Sequence, residues 1–462
     1  MAKKLIKDAN GNNYCDPITG KPIVVDVSND SDTIIEYLGG QYSGKVVDTF
    51  GNITALSALA FYGQKIAEVS FPNVSVIGKS YGFTYDTHNQ HSYSGATFME
   101  CARLKKISLP ACESFIFVKN FFNCVELESA NFPNYKSTTI AASTFYNCIK
   151  LSTVEFPTVT KVEESAFYNC TNLKTFNVED GLSSVGRYAF CNCQSLESIK
   201  FASSSVSLGG QAFQSCGLKN LSIDCDTLSA VAQTFAYCSQ LENVYIKVQN
   251  SISTIGNHCF EHCQSLQSAT LVQETGTLSL SQALFSYCTS LENVTLSAPE
   301  GIQLTSYIFE NCWKLKWGNL SNAAITRING YGVFARCSSL EYAYLPMVSS
   351  IYCNYMFSNC SNLSYIYMPM VSYMGPSTLF YYCNNLQALY IMQKSGLTEE
   401  NIPTLTNSGM FSTQFSVGIS TSDGHPWIYV GYPEYVHWLQ NATNWATYAS
   451  WIIASQFVPP TE

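Results

Sequence analysis

The stretch "FYNCTNLKTF", residues 167–176, holds an aromatic, a thiol and a leucine at three-residue steps: Phe167, Cys170 and Leu173. Taken alone, Cys170 reads equally as a nucleophile, half of a disulfide or a metal ligand. Recurrence narrows the choice. The phrase F-x-x-C-x-x-L returns at Phe98-Cys101-Leu104, Phe121-Cys124-Leu127, Phe145-Cys148-Leu151 and Phe190-Cys193-Leu196. Phe213-Cys216-Leu218 follows one residue short. Seven more copies begin at Phe235, Phe260, Phe285, Phe309, Phe334, Phe357 and Phe380, which makes thirteen, with cysteine-to-cysteine steps of 22 to 25 residues. Phe61-Gln64-Ile66 is a degenerate earlier copy without the thiol.

A constant period of roughly 20–29 residues with this leucine pattern indicates a leucine-rich-repeat solenoid. Each coil divides in two. "AFYNC" places Phe167 and Cys170 three apart, a spacing that fits one apolar face of a helix. "LKTFNV" then alternates, with Leu173, Phe176 and Val178 inward and Thr175 and Asn177 outward, the pattern of a half-buried strand. A further apolar residue, such as Val162, Val185 or Ile255, stands about five residues before the phenylalanine. The expected fold is a solenoid of about 13–14 coils. One parallel β-sheet lies on one side and short helical or irregular segments on the other, with a cap at each end.

Composition sets the outer limits. Of 462 residues 46% are hydrophobic, enough for a core that grows with repeat number. Only 12% are charged, about half the usual share of roughly 25%, so Ser, Thr, Asn, Gln and Tyr must build much of the surface. The net charge of -9 and the lack of a basic run argue against a nucleic-acid partner. No run of about 18 apolar residues predicts a membrane-spanning helix. The opening "MAKKLIKDANGNNYCDP" has no apolar core of signal-peptide type, so either export does not use that route or a leader has been lost.

The consensus AFxxCxxLxxIxLP, with V/I-x-x-x-x-F ahead of it, resembles the BspA-like family of bacterial leucine-rich repeats. "FYNCIKLSTVEFP" (145–157), "FARCSSLEYAYLP" (334–346) and "FSNCSNLSYIYMP" (357–369) carry the likeness, which spans about 53–391. "WIYVGYPEYVHWLQNATNWATYASWI" (427–452) looks like the segment that closes many such arrays. The resemblance implies adhesion or binding and not catalysis, at a cell surface or on a virion, with a cytoplasmic site left open.

Along the chain, residues 1–52 read as an N-terminal cap or attachment segment, 53–395 as the array and 396–462 as a C-terminal cap. Within the array, 78–97 is a loop insertion rich in Tyr and His, a candidate functional loop or a solvated ornament. In the cap, Pro433 and Glu434 suit a helix start, and Tyr435, Leu439, Ala442, Ala446, Ala449 and Ile452 predict a helix over about 433–453.

No phosphate loop, nucleophile elbow or H-E-x-x-H occurs. In "HCFEHC" (258–263), His258 and His262 are i, i+4, as are Cys259 and Cys263, and each pair could share a helix face. Cys263 belongs to the repeated slot, so the two pairs face differently and no metal site is expected. His88 and His91 are only two ligands. Cys191 and Cys193 are badly spaced for a disulfide. No catalytic residue and no cofactor are assigned. The repeated cysteines are expected to pack as small hydrophobes in a chain kept reduced, although neighbouring pairs could oxidise.

Information should then sit at the two outward strand positions of each coil. From Lys106/Ser108 to Asn220/Ser222, none of twelve is aromatic; Tyr245 is the first. The last four coils give Trp317/Asn319, Tyr342/Tyr344, Tyr365/Tyr367 and Ala388/Tyr390. Parallel stacking would align Trp317, Tyr342 and Tyr365 in one row and Tyr344, Tyr367 and Tyr390 in the next. Such a patch suits a protein or glycan partner, while its alternative is cross-strand stabilisation or cover by the C-terminal segment. The expected function is adhesion or host or surface recognition by a non-catalytic binding protein. The alternatives are an intracellular scaffold and a virion-borne (phage) recognition protein attached by its N-terminus; an enzyme would need paired outward carboxylates, and only Glu155 stands there. Oligomeric state is not legible.

Overall fold

The computed structural model describes residues 53–57, 60–79, 96–316, 324–375, 378–393, 403–405 and 425–455, three positions between 396 and 400, and strands at 2–5, 24–27, 34–35 and 43–47. The chain forms two compact units, 1–220 and 221–462. Both are built from the same coil.

In the first unit the alternating stretches form one row of short parallel strands: Ser43–Val47, Lys65–Ser70, Lys106–Ser108, Ser129–Asn131, Thr153–Glu155 and Thr175–Asn177. Their register keeps equivalent residues level, Lys106 with Ser129, then Thr153, then Thr175. The residues before the phenylalanine do more than supply an apolar contact. They make a second row of parallel strands, among them Thr139–Ile140, Lys161–Val162, Ser184–Val185 and Ser205–Leu208. The expected sheet therefore has a companion, and Val162 and Val185 are strand residues. Ile34–Ile35 and Ser43–Val47 lie ahead of residue 53 yet pair parallel with Ala55–Ser57 and Lys65–Ser70.

The second unit repeats the pattern with longer strands. Asn220–Ala230 and Asn243–Ile255 run from the first row through the corner into the second. Prolines 133, 157, 346 and 369 mark that corner in other coils, where a missing N–H stops a strand; no proline occurs between 220 and 255. Ile255, expected inward, closes the second of these long strands.

The three-residue Phe–Cys spacing is met by tight turns, and among the described residues of the array none is helical. From Phe121 to Phe380 the residues two before and two after each phenylalanine of the column have positive φ, as at Ser143 (54°) and Asn147 (59°) around Phe145. The N–H of Cys148 closes a turn on the carbonyl of Phe145 at 3.2 Å. The N–H groups of Phe145 and Asn147 reach the next coil, bonding the carbonyls of Ala166 and Tyr168 at 2.7 Å each. A helix would consume these donors internally; the turns release them to hold coils together. Asparagine tolerates the left-handed conformation better than most residues, which explains Asn123, Asn147, Asn169, Asn192, Asn311 and Asn359 at one slot. Three form an amide ladder, Asn147 donating to Asn123 at 3.0 Å and Asn169 to Asn147 at 2.7 Å.

Inside, the phenylalanines stack. Phe61, Phe98, Phe121, Phe145, Phe167, Phe190 and Phe213 have successive centroids 5.1 to 5.3 Å apart. The degenerate copy at Phe61 is thus a full rung. In the second unit Phe235 to Phe380 repeat the column at 5.3 to 6.0 Å. Each ring is fully buried, worth about 1.5–3 kcal/mol relative to exposure. The thiols have a fixed partner. Cys170 Sγ–H donates to the carbonyl of Phe145 at 3.1 Å, and Cys148 to Phe121 at the same distance. The same bond recurs along the column, with Cys101 on Phe61 (2.9 Å) near one end and Cys383 on Phe357 (2.9 Å) near the other. All described cysteines are free and buried. Burial pushes the Cys101 and Cys360 thiols up to about 12 and Cys170 higher still. A thiol so placed is neither nucleophile nor metal ligand at neutral pH.

The C-terminal segment extends the first row. Trp427–Val430 pairs parallel with Ala388–Ile391, and Ile452–Ala454 pairs with Trp427–Val430. Between them, the helix expected over 433–453 is an α-helix only at Pro433–Asn441. Ala442 is extended (ψ 124°), and Thr443–Trp451 continues as a 3-10 helix before the closing strand. Asn and Thr are weak helix formers, and Asn441 turns its amide back onto the His437 carbonyl at 2.8 Å. Trp445 and Tyr448 are buried, and Trp445 Nε1–H bonds the Pro403 carbonyl at 2.7 Å.

Raised thiol pKa values stabilise the fold below the unfolded thiol value of about 8.5, and the contribution is lost as pH rises toward the folded values. The melting temperature of the reduced protein should fall between about pH 8.5 and 11, and in Cys170→Ala it should fall less steeply. At pH 7 this substitution should cost about 1–3 kcal/mol in denaturant unfolding, because Phe145 keeps its turn bond but loses the thiol.

Candidate binding surface

Alternation sends the outward residues of the last strands to one face of the second unit. Tyr342 stands level with Tyr365, which stands level with Ala388 and then Trp427; Tyr344 stands level with Tyr367, Tyr390 and Tyr429. The inward partners Ala343, Ile366, Leu389 and Ile428 are fully buried and fix the outward direction of the tyrosines. Tyr342 stacks on Tyr365 at 5.3 Å and 7°, Tyr344 on Tyr367 at 4.8 Å and 7°, and Tyr390 on Tyr429 at 4.8 Å and 17°. All are half-buried.

Five of the seven expected residues, Tyr342, Tyr344, Tyr365, Tyr367 and Tyr390, are brought together. Trp317 and the loop 80–95, with His88 and His91, lie outside the described residues. Tyr245 is 40% exposed but stands level with Thr270, which stands level with Thr295, so polar coils separate it from the tyrosine rows. Trp427 and Tyr429 were missed. Their signal is the alternation of "WIYV", which repeats "ALYI" at 388–391.

A second aromatic cluster lies on the other strand row. Tyr352 and Tyr373 stack at 4.5 Å, with the Arg327 guanidinium 5.5 Å from the Tyr352 ring. At the corner between the rows, Met347 and Met370 occupy equivalent places in adjacent coils and are 55% and 40% exposed. The C-terminal coils thus carry apolar surface around several faces.

Stacking settles what this surface offers. Within each stacked pair one face of each ring is spent on its partner, and the Tyr365 hydroxyl is itself buried. Burial raises the Tyr365 phenol to about 12, with Tyr342, Glu341 and Tyr390 adding to it; burial and Tyr344 raise Tyr367. Tyr365 and Tyr367 are therefore neutral at physiological pH.

The "HCFEHC" segment is no helix. His258 and His262 both have φ of 59°, so the shared helix faces expected from i, i+4 spacing do not exist. His258 Nδ1 lies 3.2 Å from Glu261, and His262 is sandwiched between Tyr237 (4.9 Å) and Tyr287 (4.4 Å). Cys259 and Cys263 are buried. Among the described residues no three His, Cys, Asp or Glu side chains are grouped to hold a metal, and no helix is long and apolar enough to cross a membrane.

The coil with these features defines the class: a leucine-rich-repeat protein. The model of the BspA type leucine rich repeat region matches residues 91–183, 160–280 and 272–387, and the chain belongs to that family. Among solved structures, a leucine-rich repeat protein from Bacteroides ovatus ATCC 8483 is similar at 20% identity and a TM-score of 0.52, over 83% of this chain and 97% of that one. A leucine rich cell surface protein from Faecalibacterium prausnitzii A2-165 gives 16% and 0.34, over 84% and 96%. A leucine-rich repeat protein from Eubacterium ventriosum ATCC 27560 gives 15% and 0.34, over 96% and 99%. These likenesses concern the fold. No curated protein matches the chain.

The stacked pairs should show measurable coupling. In a cycle of Tyr344→Ala, Tyr367→Ala and the double variant, the interaction energy from denaturant unfolding should be about 0.5–1.5 kcal/mol.

Proposed function

We propose that the chain is a non-catalytic binding protein that recognises another protein through the tyrosine rows of its C-terminal coils, in adhesion or surface recognition. The observation that carries this reading is the contiguous set Tyr342, Tyr344, Tyr365, Tyr367, Tyr390 and Tyr429, half-exposed on a rigid parallel sheet. Contiguous aromatic surface on a soluble fold marks contact sites. Tyrosine supplies area at small entropic cost and is enriched among residues that dominate binding energy.

The stacked geometry favours a protein surface over a glycan. A sugar packs on a free aromatic face, and each stacked pair takes one face of each ring out of reach. Rows of half-exposed tyrosine edges match a surface that offers apolar side chains with backbone or amide hydrogen-bonding groups. The resemblance to surface-exposed repeat proteins supports the same class of role. A site within the cell, as a scaffold, would use the same surface on a different partner.

The test is a variant carrying Tyr342→Ser, Tyr344→Ser, Tyr365→Ser and Tyr367→Ser, assayed against a panel of immobilised extracellular-matrix proteins and glycans. Binding to a protein of the panel should weaken at least tenfold while circular dichroism keeps the native spectrum. Unchanged binding by the folded variant would remove the patch from the interface. Tyr344→Phe and Tyr367→Phe, which keep the stack, provide a gentler pair should the fourfold variant unfold.

A further inference from the structure

The residue after each phenylalanine forms a row of its own on the first unit. Phe122, Tyr146 and Tyr168 stack along it at 4.6 and 4.8 Å, with planes within 10°. The next member is Cys191, a buried thiol, and the one after is Gln214. The ladder therefore stops with a ring missing. Where the next ring would stand there is a thiol, whose Sγ lies 3.9 Å from Gln214 Oε1.

A cleft of about 590 Å³ lies at this break in the row, within the range of roughly 300–1,000 Å³ usual for ligand sites. Tyr168 forms one wall and Gln214 the other, with Cys191 between them in the row. Tyr188, turned 90° to Tyr168 with centroids 6.3 Å apart, forms an aromatic corner. Arg187 does not enter the lining; its Nη2–H bonds the Tyr188 hydroxyl at 2.9 Å and its guanidinium lies 4.6 Å from that ring.

The remaining lining is polar and holds no cation. Glu164, an exposed residue, also lines the cleft, and its carboxylate has no ion-pair or hydrogen-bond partner among the described residues. Asn192 follows Asn123, Asn147 and Asn169 in their slot, and its amide bonds no other side chain among the described residues. Gln211 orients Gln214 through an Nε2–H bond to its Oε1 at 3.1 Å.

We propose that this notch binds one neutral pyranose unit of a glycan, seated in the ring-sized gap beside Tyr168, with its hydroxyls shared among Glu164, Asn192 and Gln214. The unpaired carboxylate disfavours acidic sugars. Amide and carboxylate groups around the gap match sugar hydroxyls and leave an inserted aromatic side chain without partners for them. The site is independent of the tyrosine rows, and its Tyr168 ring is not stacked on a parallel ring of the next coil.

The experiment is saturation-transfer NMR and calorimetry on the full chain with methyl glycosides of glucose, galactose, mannose and N-acetylglucosamine. Glucuronic acid and a tyrosine-containing peptide serve as comparators. At least one neutral glycoside should bind saturably. Cys191→Tyr, which supplies the missing ring, and Tyr168→Ala, which removes the wall, should each weaken it at least tenfold. Tyr344→Ser with Tyr367→Ser should leave it unchanged, which separates this site from the surface proposed above. Should Cys191→Tyr fail to fold, Glu164→Gln, at an exposed position, takes its place with the same expectation. Absence of neutral-sugar binding, equal or tighter binding of the acid or the peptide, or indifference to these substitutions overturns the assignment.

Discussion

The carbonyl of each coil's phenylalanine carries more than its share of the structure. In Phe145 it accepts the turn N–H of Cys148 and the thiol of Cys170 from the following coil. A buried carbonyl has two lone pairs, and here both are used. One bond shapes the turn and the other ties it to its neighbour. Because the donor is a thiol, the second bond is made by a group small enough for the core and nearly as apolar as alanine. Serine would offer a stronger donor at a higher desolvation cost; alanine would pack but leave the second lone pair idle.

That arrangement explains the backbone around it. Two residues per coil must enter the left-handed region for the phenylalanine and its neighbours to turn their N–H groups toward the next coil. Each non-glycine residue there costs about 1–2 kcal/mol. The strain is distributed, small at each asparagine, and offset by inter-coil bonds repeated at every layer.

Much of this was legible. Phe167, Cys170 and Leu173 are fully buried, and the alternation of "LKTFNV" is the strand Thr175–Asn177. The conformation between them was not, because a three-residue spacing fits a helix and a pair of turns equally. Asparagine ahead of so many cysteines was the available signal for the turns. The second strand row escaped for a similar reason: a lone Val162 has no alternation to read, and its pairing is made by the neighbouring coil. Five tyrosines of the candidate surface followed from alternation alone. Tyr429 did not, since the period fails before it, although "WIYV" keeps the strand pattern after the repeat phrase has gone. The sugar notch depended on a row that faces neither the core nor the sheet, where only the stacking distances reveal that Cys191 stands in the place of a ring.

The bonding of each coil to its immediate neighbours bears on how such a chain can change over generations. A duplicated segment equal to one period brings its own phenylalanine, thiol, left-handed pair and strand. Inserted at the matching point of the phrase, it leaves every rung above and below with the partners it had. A duplication that carries only part of the phrase would leave a coil without its phenylalanine or its thiol. Array length can therefore vary by whole coils at little structural cost, and the variable outward rows travel with them. Tyr344, Tyr367 and Tyr390, occupying one slot in successive coils, have the form such copying would leave behind.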